Sequence, residues 1–468
     1  MASGKSSELS AQEIDSLQHG TWEIDCPRMT LKSRDIKKPI IYSGAGYIKQ
    51  TDARQFTFKI FPHGQEQSSN QNPWDDSLQA GELIPDHAYY DFTATDYKGR
   101  EWVSERLLEP DTNRCVTGDI IVEGKLAEIS CEGQIPHNVK CNGSSLDFQV
   151  FDNFEIPCNE RTLKKKSVAG GAQKSMSGSL NVWKFRCCGF DFLIVKEDGD
   201  LLKVHVSTDS QSLPDYFAER VIETLQFVLG HPITWEIQYS RLNHSTKCIL
   251  RSQRLRRTNA RFRPPLPPQW LISSKTNKIT IIHHRNLFER YLKHVVNHGQ
   301  PLHPLWAQLN AVYEASDAMF IDAHALTLTV AIESLLSSEF PNHGKPSKKE
   351  LKAIQAAKEY FENWEGDIGT KNRVKGSIDS LSQPRAGDKM KALVKVNAIT
   401  KKQWKAWQII RNASAHAYQN NNLTRQKFIN LLAEVEVLFY HLVFHTIGYK
   451  GKYMDYSSLG WPLKQYPS

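Results

Sequence analysis

The segment TKKQWKAWQIIRNASAHAY, residues 400–418, decides the class of half the chain. It opens with Thr400-x-x-Gln403, a capping box in which each side chain satisfies a backbone amide that the helix leaves unpaired. On a helix turning 100° per residue, Trp404, Trp407, Ile410, Ser414 and Ala417 share one face, read as the core stripe. Arg411 and Tyr418, seven apart, stand one above the other at the edge of that stripe. Asn412 and His416, four apart, stack on the opposite side. Arg411 and His416 lie about 140° apart, so on one straight helix they do not converge. If they cooperate, the helix kinks or ends near them, for which the following QNNN offers a stop, or a second copy completes the site.

Working outward, the same helical spacing runs through 283–296, 303–317 and 319–340. PSKKELKAIQAAKEYFENW (346–364) starts with a second capping box, Ser347-x-x-Glu350. TRQKFINLLAEVEVLFYHLVFHTIG (424–448) carries Phe428, Leu431, Leu432, Val435, Leu438, Phe439 and Leu442 on one stripe. Residues 283–448 therefore read as a helical bundle.

The preceding half is different. QFTFKIF (55–61) alternates apolar and polar residues, as a half-buried strand does. YYDFTATDYKGREWVSERLL (89–108) reads as two strands joined by a Lys-Gly turn. WKFRCCGFDFLIVKEDGDLLKVHVST (183–208) reads as strands around a Glu-Asp-Gly-Asp turn. Residues 214–230 are a helix that Gly230 ends, and TWEIQYS (234–240) returns to strand. KKKSVAGGAQKSMSGS (164–179) reads as a flexible basic loop. RSQRLRRTNARFRPPLPPQW (251–270) holds six arginines, no acid and a stiff PPLPP tract. It is a linker, and Arg254, Arg256, Arg257, Arg261 and Arg263 are candidate contacts to RNA phosphates. The competing reading is a solubilising linker.

The expected fold is α+β multidomain, with a strand-rich N-terminal domain followed by an all-α bundle. Its parts are a flexible N-terminus (1–20), a β-rich sensing or regulatory domain (21–250), an Arg/Pro-rich linker (251–282), the bundle (283–448) and a C-terminal tail (449–468). A chain of 468 residues is too long for one ordinary core, which agrees with this division. The N-terminus is polar and lacks the apolar core of a signal peptide, and no later run approaches 18 apolar residues. The expectation is a cytoplasmic protein with no membrane partner. The eight cysteines form no CxxC pair and are expected to be free, mostly buried thiols. The formal net charge of +8 permits an anionic partner without establishing one.

The residue types around Arg411 suit phosphodiester chemistry. Histidine titrates near neutrality, so His416 can take the proton of a ribose 2′-OH or give one to the leaving oxygen. Arginine is permanently charged with a planar fork of donors, so Arg411 can hold the charge that gathers on the phosphoryl oxygens. Asn412 can orient His416 or a phosphate oxygen. Glu333 lies in LTVAIESLLSS, an acid within a strongly apolar helix, where an ionised carboxylate needs a cation or donors. Asp322 and His324, on the same helix, are weaker candidates. No phosphate loop, HExxH or GxSxG appears, and neither a metal nor a cofactor is expected.

RNASAH resembles the R-x4-6-H motif of HEPN-domain ribonucleases, and RNASAHAY is similar to the longer R-x4-H-x-Y form of HEPN toxins. The bundle has that family's length and places the motif before its last long helix. A strand-rich half followed by such a bundle resembles ApeA-like antiphage proteins. The resemblance implies an endoribonuclease with Arg411 and His416 catalytic and with Asn412, Glu333 and Tyr418 supporting. It implies a Glu333 that holds Arg411 in place, the alternative being that Glu333 faces solvent. It implies attack by the substrate's own 2′-OH, products with 2′,3′-cyclic phosphate ends, and a site composed across a homodimer axis. It also implies cleavage of cellular RNA, tRNA among the candidates, in abortive infection set off by a phage-derived trigger. In related toxins the tyrosine is adenylylated by a partner, which gives Tyr418 a second possible role beside packing. The rival from another class is a HEPN scaffold that no longer catalyses and only binds a nucleotide, RNA or a protein.

Overall fold

The computed structural model of the chain describes residues 7–467 except 38, 63–82, 109, 115–119, 135–142, 153–154, 166–175, 198–199, 210–211, 243, 254–262, 268–273, 318–319 and 416–422. The chain divides into two compact units. One comprises Met1–Phe154, Cys158–Leu213 and Ile233–Arg256, and the other Glu155–Pro157, Pro214–Pro232 and Arg257–Ser468. The first is strand-rich and the second is mainly helical, the α+β layout expected.

Among the described residues, 15 strands of the first unit form one sheet, from the edge strand Glu160–Lys165 to the edge strand Asp111–Arg114. Alternation sets which face is buried. In Phe56–Pro62, Phe56, Phe58 and Ile60 point into the core while Thr57 and Lys59 do not. The expected hairpin appears as Tyr90–Thr95 and Glu101–Leu107. Its turn is fixed by Asp96, whose carboxylate accepts from the Arg100 amide at 2.9 Å, Arg100 Nε at 2.7 Å and Trp102 Nε1 at 3.2 Å. Gly99 supplies the positive φ. A tighter turn passed unnoticed in the sequence. Met176–Cys187 and Phe190–Glu197 are joined by Cys188 and Gly189, both at positive φ, the two-residue geometry that matches strand twist. The ends of the segment read as a basic loop belong to strands, since Lys164 and Lys165 pair with Ser177 and Met176; residues 166–175 lie outside the described residues.

The N-terminus departs from expectation. Residues 7–20 are built into the unit rather than flexible. α1 (Ala11–Gln18) begins at a Ser10–Glu13 capping box, and Leu9 and Leu17 join the buried cluster around Trp22, Trp102 and Phe56. Glu13 also pairs with Arg100, whose side chain is almost fully buried. The S-A-Q-E box was the available signal, masked by the polar composition around it.

In the second unit the helices are α2 (Phe217–Leu229), α3 (Ser274–Val295), α4 (Pro304–Asp317), α5 (Ile321–Ser338), α6 (Lys348–Glu362), α7 (Ile368–Ser380), α8 (Ala386–Lys395), α9 (Lys401–Ala415) and α10 (Arg425–Thr446). α2, grouped by sequence with the strands, packs here. Phe227 stacks on Tyr291 of α3 with centroids 4.8 Å apart, Gln226 Nε2 donates to Asn310 Oδ1 of α4 at 3.0 Å, and Tyr313 Oη donates to the Gln226 carbonyl at 2.9 Å. α3 begins at Ser274, inside the span read as linker.

Gly230 closes α2 at positive φ, and a Cβ placed there would lie 2.2 Å from Pro264 Cα. Left-handed strain alone costs an L-residue about 1–2 kcal/mol, and the backbone clash adds to it. Gly230→Ala is therefore expected to lower the urea midpoint of the protein by more than that strain alone requires. A loss within about 0.5 kcal/mol, the level of a neutral surface change, would mean the close approach is wrong.

α10 is the central helix. Its stripe is real at Phe428, Leu432, Val435, Leu438, Phe439 and Leu442, and from Val437 to Phe444 every residue is buried. It is long and apolar enough to cross a membrane, yet 67% of its apolar window is buried among the other elements. The segment read as a tail instead forms a hairpin, Gly451–Met454 with Leu463–Tyr466. Tyr453 and Tyr466 pack on His441 at 4.6 and 4.8 Å between ring centroids. Aromatic content in 449–466 was the signal for burial.

His441 receives a hydrogen bond at Nδ1 from Gln403 Nε2 at 3.2 Å, which ties α9 to α10. Burial pushes this imidazole down to about 3. A histidine whose folded value lies below its unfolded one stabilises fully above about pH 6.5, and that stabilisation drains away as pH falls toward the folded value. Between pH 6.5 and 4, His441→Gln should therefore lose stability less steeply than wild type, by about 1.4 kcal/mol per pH unit. Urea titrations across that window measure the difference in slope, and parallel curves would refute a neutral buried His441.

Among the described cysteines, Cys26, Cys131, Cys158, Cys187 and Cys248 are buried and Cys188 is exposed; Cys115 and Cys141 lie outside the described residues.

Candidate active site

α9 is positioned on both flanks. Its N-terminal box forms as expected, with Gln403 N donating to Thr400 Oγ1 at 3.2 Å and Thr400 N donating to Gln403 Oε1 at 2.9 Å. Gln403, Ala406, Trp407 and Ile410 are buried, while Trp404 is only half-buried, so the stripe is turned slightly from the one drawn through Trp404. Beyond the Gln403–His441 bond, Lys402 Nζ donates to Glu434 Oε1 of α10 at 2.6 Å. On the other side Lys391 of α8 sits 6.0 Å from the centre of the Trp404 ring. α8 is itself held to α5 by Lys389, whose Nζ donates to the Leu336 carbonyl at 2.9 Å.

This frame places Arg411 and Asn412 in the last described turn of α9, both exposed. Arg411 Nε donates to Glu333 Oε1 of α5 in an ion pair. The two side chains are 47% and 36% exposed. The guanidinium also lies over the Trp407 ring, 5.8 Å from its centroid. The sequence pairing of Glu333 with Arg411 thus appears as a contact. The reason is positional: Glu333 stands on the flank of α5, while its neighbours Ala331, Ile332, Leu335 and Leu336 fill the core. One carboxylate oxygen on one edge of the fork does not exhaust five N–H donors.

The weaker candidates go elsewhere. Asp322 pairs with Arg425 at 3.3 Å, both ends well exposed. His324 is buried with Nε2 3.4 Å from Glu436 Oε1. Burial raises the Glu436 carboxyl to about 7, against the opposing pull of Arg263. Arg263 is the described member of the arginine set, and its guanidinium lies 4.5 Å from the Trp461 ring centroid and 5.2 Å from that of Tyr456. Its charge is engaged with aromatic faces inside its own unit. Arg254, Arg256, Arg257 and Arg261 lie outside the described residues, as do His416 and Tyr418.

Arg411 and Asn412 line one wall of an open groove of about 1140 Å³. The opposite wall is the turn from α7 into α8, including Gln383, Arg385 and Asp388. Sequence reading missed this wall. SQPRAGD (382–388) looks like an ordinary helix start, and only tertiary packing brings it opposite the motif. Among the described residues, no three His, Cys, Asp or Glu side chains gather as a metal site. Comparison with protein-family models, with curated proteins and with solved structures finds no match for this chain.

Proposed function

We propose that the helical unit is a metal-independent endoribonuclease of the HEPN type that cleaves cellular RNA in antiphage defence by abortive infection, with the strand-rich unit as its regulatory part. The observation that carries this reading is the Arg411–Glu333 pair on the rim of a groove that Arg411 and Asn412 line. A salt-bridged guanidinium beside open space is a preorganised anion site, and a pentacoordinate phosphorus gathers negative charge on the oxygens such a site would meet. His416 follows Arg411 by five positions and is the next residue after the described end of α9. In the proposed reaction the ribose 2′-oxygen attacks phosphorus and the P–O5′ bond breaks. A proton leaves the 2′-OH and another reaches O5′, with His416 serving one of these transfers. The product ends are a 2′,3′-cyclic phosphate and a 5′-hydroxyl. The functional unit is a homodimer whose second copy completes the site.

The experiment is RNA cleavage in EDTA by wild type, Arg411→Ala and His416→Ala, with analysis of product ends. Cyclic phosphate ends from wild type and at least 10²-fold slower cleavage by both variants, about the scale of a lost acid–base group, support the reading. Equal cleavage by all three would sink it. RNA binding without cleavage would favour the non-catalytic scaffold.

A further inference from the structure

The groove holds a second cation besides Arg411. Arg385, exposed at the start of α8, donates from Nη2 to Ser380 Oγ at 2.9 Å, which orients its guanidinium. Asp388, the acid on the same wall, is matched locally by the Arg385 amide at 3.4 Å and Lys391 Nζ at 3.3 Å. The groove is also lined by Asn412 and Gln408, which bring side-chain amides, and by Ile409, which is 38% exposed. Trp407 contributes to the lining, but its indole is 3% exposed and offers no stacking face. Drug-sized ligands fill roughly 300–1,000 Å³, so the groove has room for more than the one phosphate that Arg411 would hold.

We infer that Arg385 binds the phosphate of a nucleotide flanking the scissile one, and that the groove takes single-stranded RNA. This rests on the proposed ribonuclease reading. Two cations lining one groove suit neighbouring phosphates of one strand, while the amides suit the Watson–Crick base edges that a duplex would hide. Ile409 offers apolar surface to a base. Arg385 is a positioning residue for the substrate and takes no part in proton transfer.

The test uses the full chain and a fluorescent 2′-O-methyl oligoribonucleotide, which lacks the nucleophile and stays intact. Its affinity is measured by anisotropy between 50 and 200 mM salt. Arg385→Ala should weaken binding several-fold and reduce the slope of log K against log salt by about 0.7, the loss of one phosphate contact on a single strand. Gly387→Trp should weaken it as well. Gly387 lines the groove and a Cβ there meets nothing within 4 Å, so a side chain can be added at this position of the lining without a clash at its first atom. Arg373→Ala, the same charge change on exposed α7 away from the groove, should bind as wild type does. If Arg385→Ala matches Arg373→Ala in affinity and slope, or if wild type does not bind, the inference is overturned. Cleavage of unmodified RNA separates the two readings. Arg411-dependent cleavage indifferent to Arg385 leaves the ribonuclease standing and removes the groove assignment. Arg385-dependent binding without cleavage supports the groove and removes the ribonuclease.

Discussion

Arg411→Ala is expected to slow RNA cleavage by about 10²- to 10³-fold, the scale for removing one preorganised charge-stabilising donor, while barely changing stability. The two halves of that statement have different causes. Arg411 and Glu333 are 47% and 36% exposed, and a surface ion pair of this kind contributes roughly 0.2–1 kcal/mol to folding. Water supports both charges when the pair is broken, so the fold loses little. Transition-state binding has no such substitute, because its worth lies in a guanidinium already aimed before charge develops. Glu333→Ala tests the aiming alone. It leaves the cation in place and releases its anchor, and a misplacement on the order of 1 Å costs up to about 10²-fold. The expected order is wild type fastest, Glu333→Ala intermediate, and Arg411→Ala slowest, with the double variant close to Arg411→Ala because an anchor has nothing left to hold. Multiplicative losses in the double variant would show that Glu333 acts on its own and not through Arg411. Arg411→Lys should not recover the rate, since a point charge lacks the planar fork. Single-turnover cleavage and thermal melts of the same five samples measure both halves.

How much of this was legible beforehand follows from where each signal resides. Local signals survived. The boxes at Ser347–Glu350 and Thr400–Gln403 formed as read because each needs only four consecutive residues. The Gly230 stop formed for the same reason. The Glu333–Arg411 contact crosses 78 positions, and the residues alone asked only for some cation or donor near Glu333; the choice of Arg411 came from the resemblance to HEPN domains, which carry an acid facing the motif arginine. What failed depended on partners. α2 has the spacing of any core helix, and nothing in its periodicity says which unit it will cover. Its buried Arg220 and Glu223 held that information, because such a pair must meet polar groups that α3 and the α3–α4 turn supply. The C-terminal segment looked like a tail because its two strands are only four residues each, and its stability comes from tyrosines packed on α10. The far wall of the groove carries no motif at all, since it is made by a tertiary approach.

Arg220→Ala is expected to destabilise the helical unit by about 3–5 kcal/mol, the cost of breaking a fully buried ion pair by removing one partner. Arg220 and Glu223 side chains are both 0% exposed. Arg220 Nη1 donates to Glu223 Oε2 at 2.6 Å, and Nη2 donates to the carbonyls of Gln300 and Pro301 at 2.8 Å each. Glu223 Oε1 accepts from Tyr291 Oη at 2.8 Å, with His303 Nδ1 3.4 Å away. One guanidinium therefore satisfies an acid on its own helix and two carbonyls in the turn between α3 and α4. Removing it strands the Glu223 carboxylate away from water, while the turn residues Gln300 and Pro301 are exposed, so the penalty is the desolvation of the acid that remains rather than the strength of the lost bonds. The double variant Arg220→Met, Glu223→Leu tests that accounting. It removes the orphaned charge, so it should be more stable than Arg220→Ala despite carrying more substitutions. Tyr291→Phe removes one of the donors to Glu223 and should cost about 1–3 kcal/mol. Urea unfolding of the three variants ranks them. A loss below about 1 kcal/mol in Arg220→Ala, the range of an exposed pair, would mean that water reaches Glu223 and that α2 is not sealed against α3 as described. Neither Arg220 nor Glu223 lines the groove that holds Arg411. Cleavage by the folded fraction of Arg220→Ala should accordingly keep its dependence on Arg411, which separates loss of fold from loss of chemistry.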